Sequence, residues 1–358
     1  MATNYPLITI IYDSITNPVF ASQVLARAQR ATQRPHVLIS FERTTLPTDH
    51  PVYHQWPGPI HIIRNPLPFI GRPTLAFLLP SLKKVLAHYP RYEIIARGPH
   101  AGWLALHALT TSCTSICIQA RGLLAAEYAY VHQQESRLLW KAIHAMRSRW
   151  YTTLEHVTYT AAASIPFTLE AVSPALRDYL QQEYQVATSR ITIAQEDIPA
   201  HLSPEEKVYW RSAIREQLNI PHESTVYCYS GSAKPWQCPA QMVAYFLEQF
   251  HEKTPKPYLL LLTQDRPAFL PYLEQVPTSF VRIVEVPSHE VVQYLAAADK
   301  GLLFREKHIM NWVSRPTKAL EYQAAGLAVV HNNTVGWLAQ TGMEQGVVSE
   351  IFLPIEGG

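Results

Sequence analysis

Residues 311–330 read NWVSRPTKALEYQAAGLAVV, and this stretch decides the fold. A basic loop with one proline leads into a helix, and a short Val-rich run typical of a buried strand follows. Lys318 and Glu321 lie three residues apart, so both side chains project from the same side of the helix start. Arg315 precedes them in the loop. A helix start of this kind, followed at once by a strand, is typical of a parallel α/β sheet with a polar site at its edge.

The same alternation of strand and helix extends over the rest of the chain. In the first half, strand character recurs with helical segments between the strands, at 7–13, 36–42, 60–66, 92–98, 114–122 and 167–173. A polar, charged stretch at 195–224 follows. The pattern then restarts, with strand character at 224–231, 258–263, 280–286, 301–306 and 327–332.

This organisation predicts an α/β protein with two Rossmann-like, doubly wound parallel-sheet domains that face each other across a cleft. We expect an N-terminal domain at 1–195, a connection between domains at 196–223 and a C-terminal domain at 224–358.

Composition limits the classes of function. The chain has 358 residues, of which 47% are hydrophobic and 16% charged, with a net charge of +2. This balance supplies two packed cores and argues against disorder and against general binding of nucleic acid. The four cysteines form no Cys-x-x-Cys pair and lie beside no histidine cluster, so we expect reduced thiols and no metal site. No apolar run is long enough to span a bilayer, and we expect a cytoplasmic protein.

Polar residues follow three strands of the second half, and ligands of parallel α/β sheets bind at this edge. Gly231 ends one strand and precedes Lys234, and Arg305 ends another. Taken singly, each feature has an ordinary structural explanation. The Gly231–Lys234 loop is also typical of a plain strand–helix turn, Arg305 of a surface ion pair, and Glu321 of a helix cap. Together with the start of the 316–326 helix they predict a diphosphate site. Glu321 is an acceptor suited to a pair of ribose hydroxyls, so the predicted ligand is a nucleotide.

Three cations, Lys234, Arg305 and Lys318, balance the charge of a diphosphate without a metal ion, and no Asp-x-Asp motif suited to Mg²⁺ is present. We therefore expect no cofactor. The predicted nucleotide site, called the donor site below, comprises Gly231, Ser232, Lys234, Arg305, Asn311, Pro316, Thr317, Lys318 and Glu321.

Three motifs of the second half resemble one family. P-T-K-x-x-E-Y-x-A-x-G-x-x-V-V at 316–330 is preceded by L-x-R-E at 303–306 and by Y-S-G-S-x-x-x-W-Q at 229–237. This combination resembles the donor domain of GT-B glycosyltransferases, most closely the retaining, family-four-like enzymes that build bacterial surface polysaccharides. Milder matches in the first half resemble the acceptor domain of that family, at 17–24, 97–102, 119–128 and 171–180.

The resemblance implies a role for each matching residue. Glu321 would hold the donor ribose, and the helix start at 316–318 would face the diphosphate. Arg305 and the loop 230–237 would complete the diphosphate site. The resemblance further implies retention of the anomeric configuration, with front-face attack by the acceptor hydroxyl and transfer of its proton to the donor phosphate.

The chain departs from the family pattern at four positions. Val313 stands where many members carry a further glutamate, eight residues before Glu321. Ser232 and Gln237 stand where an arginine and a lysine are common, with Lys234 and Arg305 as the available substitutes. In the first half, Gln119 stands where an acidic residue is expected. These departures affect the expected recognition of the sugar more than the expected binding of the nucleotide.

Candidates on the acceptor side are Arg97, His100, Arg121 and Glu127. His100 lies just past a strand end in a Gly- and Pro-rich turn, and a surface role is its alternative. The alternative for Glu127 is a structural role, either as a helix cap or in an ion pair with Arg121. The predicted catalytic residues are His100, Lys234, Arg305 and Lys318.

The predicted function is transfer of a sugar from a UDP- or GDP-sugar to a hydroxyl of a glycan or lipid-linked acceptor, in synthesis of cell-surface polysaccharide such as lipopolysaccharide. A nucleotide-sugar 2-epimerase on the same fold and a non-catalytic nucleotide-sugar binding subunit are the alternatives. No nucleic-acid partner is expected. The stretch RLLWKAIHAMRSRWY at 137–151 mixes basic and aromatic residues. It suits either contact with the inner face of a membrane or a core-packed helix with a solvated basic side.

Overall fold

The computed structural model describes residues 5–31, 34–68, 70–195, 199–287, 289–339 and 349–352. The chain divides into two compact units, Met1–Asp197 and Ile198–Gly358. Each unit is built on one sheet with helices on its faces, as the alternating sequence pattern predicts.

Within the described residues, the sheet of the first unit has seven strands, all parallel, in the order β3-β2-β1-β4-β5-β6-β7. The strands are β1 Leu7–Ile11, β2 His36–Glu42, β3 Ile60–Arg64, β4 Tyr92–Arg97, β5 Cys113–Ala120, β6 Phe167–Ala171 and β7 Ile191–Ile193. Every residue of β1 and β2 is buried, which explains their nearly continuous apolar sequence. Leu7 pairs with His36 on one side and with Glu93 on the other, so β1 is central.

The helices of the first unit connect these strands. They are α1 Pro18–Phe20, α2 Ala26–Arg30, α3 Val52–Gln55, α4 Arg72–Leu86, α5 Gly98–Ala108, α6 Leu124–Val131, α7 Leu138–Tyr159 and α8 Pro174–Tyr184. A π-helical segment, Ala21–Leu25, joins α1 to α2, and a 3₁₀ turn, Thr188–Arg190, precedes β7. Asn17 caps α1 by accepting a hydrogen bond from the backbone N–H of Val19, in agreement with the start signal in the sequence.

The sheet of the second unit has the order β10-β9-β8-β11-β12-β13 in the described residues. Five strands are parallel, and β13 pairs with β12 in the antiparallel direction. The strands are β8 Val226–Ser230, β9 Tyr258–Leu262, β10 Val281–Val284, β11 Lys300–Leu303, β12 Ala328–His331 and β13 Ser349–Phe352. Alternate residues of β8 enter different cores, Val226 and Cys228 on one face and Tyr227 and Tyr229 on the other.

The helices of the second unit cover both faces of this sheet. They are α9 Pro204–Gln217, α10 Pro239–Glu252, α11 Arg266–Phe269, α12 Val291–Leu295, α13 Ile309–Trp312, α14 Thr317–Ala324 and α15 Gly336–Ala339. Short 3₁₀ turns lie at Pro235–Gln237, Leu270–Tyr272 and Thr278–Phe280.

Helix α9 lies in the stretch predicted as a connection, and it packs as part of the second unit. A capping box of Ser203 and Glu206 starts the helix. Arg215 is fully buried and donates to Asp299 Oδ2 at 3.0 Å and to the carbonyl oxygens of Ala297 and His222 at 2.9 and 2.7 Å. These bonds tie α9 to the loop before β11. The boundary predicted after residue 195 falls at 196–198, outside the described residues.

Several elements were not predicted, among them α3, α6, α8, β7 and β13. Strands β7 and β13 and helix α3 have three or four residues, too short to show a clear period, and α8 follows β6 after a two-residue turn. Helix α14 begins at Thr317, with Pro316 as its N-cap residue, one position later than the sequence suggests.

Candidate active site

Tyr322 and Gly301 fix the start of α14 against the strand ends. The Tyr322 hydroxyl donates to the Leu302 carbonyl oxygen of β11 at 3.1 Å and accepts from the Ser230 N–H of β8 at 3.2 Å. A Cβ atom at Gly301 would overlap the Tyr322 ring, so only glycine leaves room for it. The side chains of the first turn of α14 are therefore held beside the carboxyl ends of β8 and β11.

Lys318 is a buried cation with few partners. Its side chain is 8% exposed. The ammonium donates to Gln237 Oε1 at 2.5 Å and lies 3.9 Å from the centre of the Tyr229 ring. Burial lowers the pKa of Lys318 well below its usual value, and the positive charge of Arg305 lowers it further, while Glu321 acts in the opposite direction. The ammonium form is thus costly in the free protein, and a bound anion would stabilise it.

Gly231 lets the Lys318 ammonium approach the end of β8. Its φ of +132° is unfavourable for residues with a side chain, and an added Cβ would lie 3.0 Å from Lys318 Nζ. The Gly231 N–H donates to the Leu262 carbonyl oxygen at 2.9 Å, which holds the turn in place.

Arg305 is the second buried cation, 9% exposed, at the end of β11. Its backbone is held by Asn332, which accepts from the Arg305 N–H at 3.1 Å and donates to the Arg305 carbonyl at 2.7 Å. Among the described residues, the guanidinium Nη1 has no hydrogen-bond partner. Burial lowers the pKa of Arg305. A buried guanidinium donor without a partner is costly, and an oxyanion would satisfy it.

Glu321 follows Lys318 by one helical turn and is half-buried. Burial raises the pKa of Glu321, while Lys318 and the Ser230 side chain act in the opposite direction. The site therefore joins two buried cations to one carboxylate at the N-terminal end of a helix, where the helix dipole and free N–H groups also favour an anion. Of the predicted donor-site residues, the structure brings together Gly231, Lys318 and Glu321. Arg305 belongs with them, since its charge affects the pKa of Lys318.

The other predicted donor residues hold different positions. Lys234 is exposed and lies over the Trp236 ring, 5.2 Å from its centre. The Ser232 carbonyl accepts from the Tyr229 hydroxyl at 2.7 Å. Asn311 is buried, and its amide donates to the Glu306 carbonyl oxygen at 2.8 Å, so it shapes the loop before α13.

Two residues of the 229–237 motif that were not among the predicted donor-site residues belong with Lys318. Gln237, also described as a departure from the family pattern, accepts from the Lys318 ammonium and contacts the Tyr229 hydroxyl. Tyr229 presents its ring face to the same ammonium. An aromatic residue at a strand end and an amide eight residues later gave no signal of this contact in the sequence.

A cavity of about 960 Å³ adjoins Arg305 in the second unit. Its walls are formed by α10, by the loop after β11 and by the loop after β12. Aromatic and polar side chains line it, among them Tyr245, Phe304, His308, Trp312 and Asn332. Arg305 lines this cavity and also belongs to the group formed with Lys318 and Glu321 at the start of α14.

On the acceptor side, Gln23 joins two of the predicted residues. Gln23 Oε1 accepts from Arg97 Nη2 at 2.5 Å and from Arg121 Nη2 at 3.1 Å. Arg97 is buried, and its Nε lies 4.0 Å from Asp13 Oδ2. Arg121 Nη1 also lies 3.9 Å from Glu170 Oε1, so Glu170 is one ionic partner of Arg121.

His100 lies between two aromatic rings. It stacks on Tyr12 with ring centres 4.5 Å apart, and Tyr151 meets it edge-on at 5.8 Å. Burial lowers the pKa of His100 to about 3, so the imidazole is neutral at physiological pH. A base of this strength accepts a proton poorly. The structure thus favours a hydrogen-bonding or stacking role for His100 over the predicted role in catalysis.

The Glu127 side chain reaches solvent, but protein surrounds its carboxyl group on several sides. The resulting loss of hydration, together with the negative charge of Asp13, raises the pKa of Glu127 to about 7. The pKa of Asp13 is raised by burial and lowered by Arg97. Asp13 lies two residues past the end of β1, and the sequence analysis missed it because a single aspartate after a strand is common.

Glu170 is the central carboxylate of this region. It accepts from Arg27 at 2.8 and 3.0 Å and from Gln119 Nε2 at 2.6 Å. Gln119, which stands where the family pattern has an acidic residue, thus contacts a carboxylate contributed by β6. The two residues are far apart in sequence, and their contact follows from the pairing of β5 with β6.

Among the residues that the structure describes, no group of three or more His, Cys, Asp or Glu side chains is placed to hold a metal ion. Within the same residues, no helix is both long enough and apolar enough to cross a bilayer.

Solved structures with the same arrangement were found over nearly the whole chain. Anabaena Alr3699/HepE in complex with UDP and glucose is 14% identical, with a TM-score of 0.59, over 96% of this chain and 84% of that one. WaaG, a glycosyltransferase involved in lipopolysaccharide biosynthesis, is 17% identical, with a TM-score of 0.57, over 93% and 83%. The chain has the GT-B fold.

The same fold also carries a different activity. UDP-GlcNAc 2-epimerase from Methanocaldococcus jannaschii is 10% identical, with a TM-score of 0.51, over 92% of this chain and 84% of that one. The sequence matches no protein-family model and no curated protein. At these levels of identity the comparisons establish the fold, and the activity has to be inferred from the site.

Proposed function

We propose that the protein is a glycosyltransferase that uses a nucleoside-diphosphate sugar as donor. The observation that carries this proposal is the pair of buried cations, Arg305 and Lys318, beside Glu321 at the start of α14. A diphosphate supplies the anionic charge that both cations lack in the free protein. Glu321 accepts from the two hydroxyls of the adjacent ribose.

The proposed mechanism depends on charge at the leaving group. Cleavage of the bond between the sugar and the diphosphate leaves negative charge on the phosphate oxygens. Arg305, Lys318 and the N–H groups of the first turn of α14 stabilise this charge as it develops, and they do so without reorganisation because they are already fixed by Tyr322 and Asn332. Lys234 is exposed and mobile enough to add a contact from the loop after β8.

On the acceptor side we propose that Arg97, Arg121 and Glu127 bind the hydroxyl-bearing acceptor, a glycan or a lipid-linked sugar. His100 positions the sugar or the acceptor as a neutral hydrogen-bonding group. The transfer proceeds with retention and without a metal ion, and it serves synthesis of cell-surface polysaccharide. These finer points rest on the resemblance of the 303–330 and 229–237 motifs, with support from the WaaG likeness.

A nucleotide-sugar 2-epimerase is the second candidate. The likeness to the archaeal epimerase favours it, as does Val313, a fully buried apolar residue where many family-four-like transferases carry glutamate. A transferase with no acceptor hydrolyses its donor slowly to free sugar and nucleoside diphosphate, whereas the product of an epimerase is still a nucleotide sugar, inverted at C2.

Incubation of the protein with labelled UDP-glucose, UDP-GlcNAc and GDP-mannose separates these activities. Release of free sugar and nucleoside diphosphate, lost in Lys318→Met, is the expected result. Recovery of an isomerised nucleotide sugar would establish the epimerase. Tight nucleotide binding with neither reaction would contradict both activities and indicate a binding subunit.

A further inference from the structure

The first turn of α7 exposes three consecutive large apolar side chains. Leu138 is 84% exposed, Leu139 71% and Trp140 42%. Met146, two turns further along, and Val131, at the end of α6, are also exposed, at 45% and 60%. A core-packed helix would bury such residues, so the core-packed alternative stated for 137–151 is wrong for the N-terminal half of α7.

The C-terminal half of α7 anchors the helix. Leu154, Glu155, Thr158 and Tyr159 are buried, and Thr158 donates to the Pro99 carbonyl oxygen at 3.3 Å. The helix is 22 residues long, so its first turns are held in place by a rigid element while their apolar side chains have solvent around them. We refer to Leu138, Leu139 and Trp140 as the apolar tip.

The charge around the apolar tip is strongly basic. The stretch 131–151 carries four basic residues, Arg137, Lys141, Arg147 and Arg149, and one acidic residue, Glu135. Glu135 pairs with Arg137 at 2.9 Å, and the Arg137 guanidinium also lies 5.4 Å from the centre of the Trp140 ring. A surface that combines exposed Leu and Trp with Arg and Lys is complementary to a bilayer with anionic headgroups.

The arrangement around the helix axis favours a flat surface over a protein groove. Consecutive helical residues point about 100° apart, so three of them cover more than half of the circumference. A partner helix or groove contacts one stripe of residues spaced three or four apart. A bilayer interface takes up all three side chains when the helix end enters it.

We propose that the N-terminal half of α7 docks the first unit on an anionic lipid surface, with the apolar tip inserted among the headgroups and the exposed Lys141 and Arg149 bound to phosphates. Trp140 has its usual position at the boundary between headgroups and acyl chains. This inference concerns the surface of the first unit and does not rest on the transferase proposal. The two can therefore fail separately.

Sedimentation with vesicles tests the docking directly. The full chain is mixed with vesicles of phosphatidylcholine and phosphatidylglycerol, or of phosphatidylcholine alone. We expect binding to the anionic vesicles, and release when salt is raised from roughly 0.1 M to about 1 M. Charge reversal in Lys141→Glu/Arg149→Glu should lower the partition coefficient about tenfold or more, and Leu138→Ser/Leu139→Ser should lower it by about the same factor.

The matched control is Val208→Ser/Tyr209→Ser on α9, which removes two apolar side chains of similar exposure, 67% and 62%, in the second unit. Its binding should equal that of the wild type. All variants change exposed side chains, and unchanged thermal unfolding verifies that each is folded. Equal binding of the α7 variants and the wild type would overturn the proposal. So would a dimer in lipid-free solution that the Leu138→Ser/Leu139→Ser change dissolves, since the tip would then be an interface between two copies.

Discussion

Replacement of Lys318 by methionine should make the free protein more stable and a poorer nucleotide binder. Methionine has nearly the same length and no charge. In the free protein the Lys318 ammonium is 8% exposed and close to a second buried cation, so its removal should raise the free energy of unfolding. Replacing buried charge by an apolar side chain contributes about 1–2 kcal/mol at sites of this kind, or about 3–6 °C in a unit of this size.

The same change removes one cation from the proposed diphosphate site. A hydrogen bond to a charged group contributes about 1.5–3 kcal/mol, so the affinity for UDP should fall about 10- to 100-fold. Stability and binding thus change in opposite directions, as expected of a group selected for its ligand. A purely structural lysine would show the reverse pattern.

Thermal unfolding with and without UDP measures both effects in one experiment. A ligand at about 100 times its dissociation constant stabilises by about 2.7 kcal/mol. With an affinity about 10- to 100-fold lower in Lys318→Met, the same concentration of UDP should stabilise by only about 0.4–1.4 kcal/mol. Lys84→Met, which replaces an exposed lysine on α4 of the first unit, is the control and should change neither quantity. A variant that unfolds at lower temperature and keeps the full UDP shift would refute the reasoning.

Two further predictions concern Gly301 and Glu155. Gly301→Ala places a methyl group against the buried Tyr322 ring, so the free energy of unfolding in chemical denaturation should fall by about 1–3 kcal/mol. The displacement of α14 should also reduce the thermal shift caused by UDP. An undisturbed UDP shift would mean that α14 is positioned by other contacts. Burial raises the pKa of Glu155 to about 7, against a usual value of 4.5, while its carboxylate accepts from the Leu124 N–H at 2.5 Å. A raised carboxyl pKa stabilises the fold at low pH, and this contribution is lost as pH rises towards 7. Glu155→Gln should therefore remove about 1–3 kcal/mol of the pH dependence between pH 5 and about 8, as measured by urea unfolding, and an unchanged dependence would place the titration on another group.

Much of the fold followed from local patterns. The apolar runs at 36–42 and 258–263 matched β2 and β9, and the helix expected at 316–326 matched α14 within two residues at either end. The sequence showed these elements because each has the period and the end signals of its type. The antiparallel pairing of β13 depends on contacts that no local period encodes.

The donor site was predicted in part for a similar reason. The spacing of Lys318 and Glu321 fixes both on one side of α14, and a helix repeats this geometry reliably. The loop after β8 has no such repeat. Lys234 was the expected cation there, yet it turns outward over Trp236, while Gln237 contacts Lys318. Which side chain of an irregular loop points inward is decided by tertiary packing.

The acceptor side was the hardest to predict. His100 was found from its position just past a strand end, and Arg97 and Arg121 from segments that resemble an acceptor domain. Their partners Gln23, Glu170 and Tyr12 come from distant parts of the chain. The low pKa of His100 follows from burial, which the sequence does not state.

A crystal structure with bound UDP tests the central claim most directly. The diphosphate should lie within roughly 3 Å of the Arg305 guanidinium and the Lys318 ammonium, with the ribose hydroxyls on Glu321. Density for UDP at a site remote from all three side chains, with the two cations still buried as in the free protein, would contradict the account.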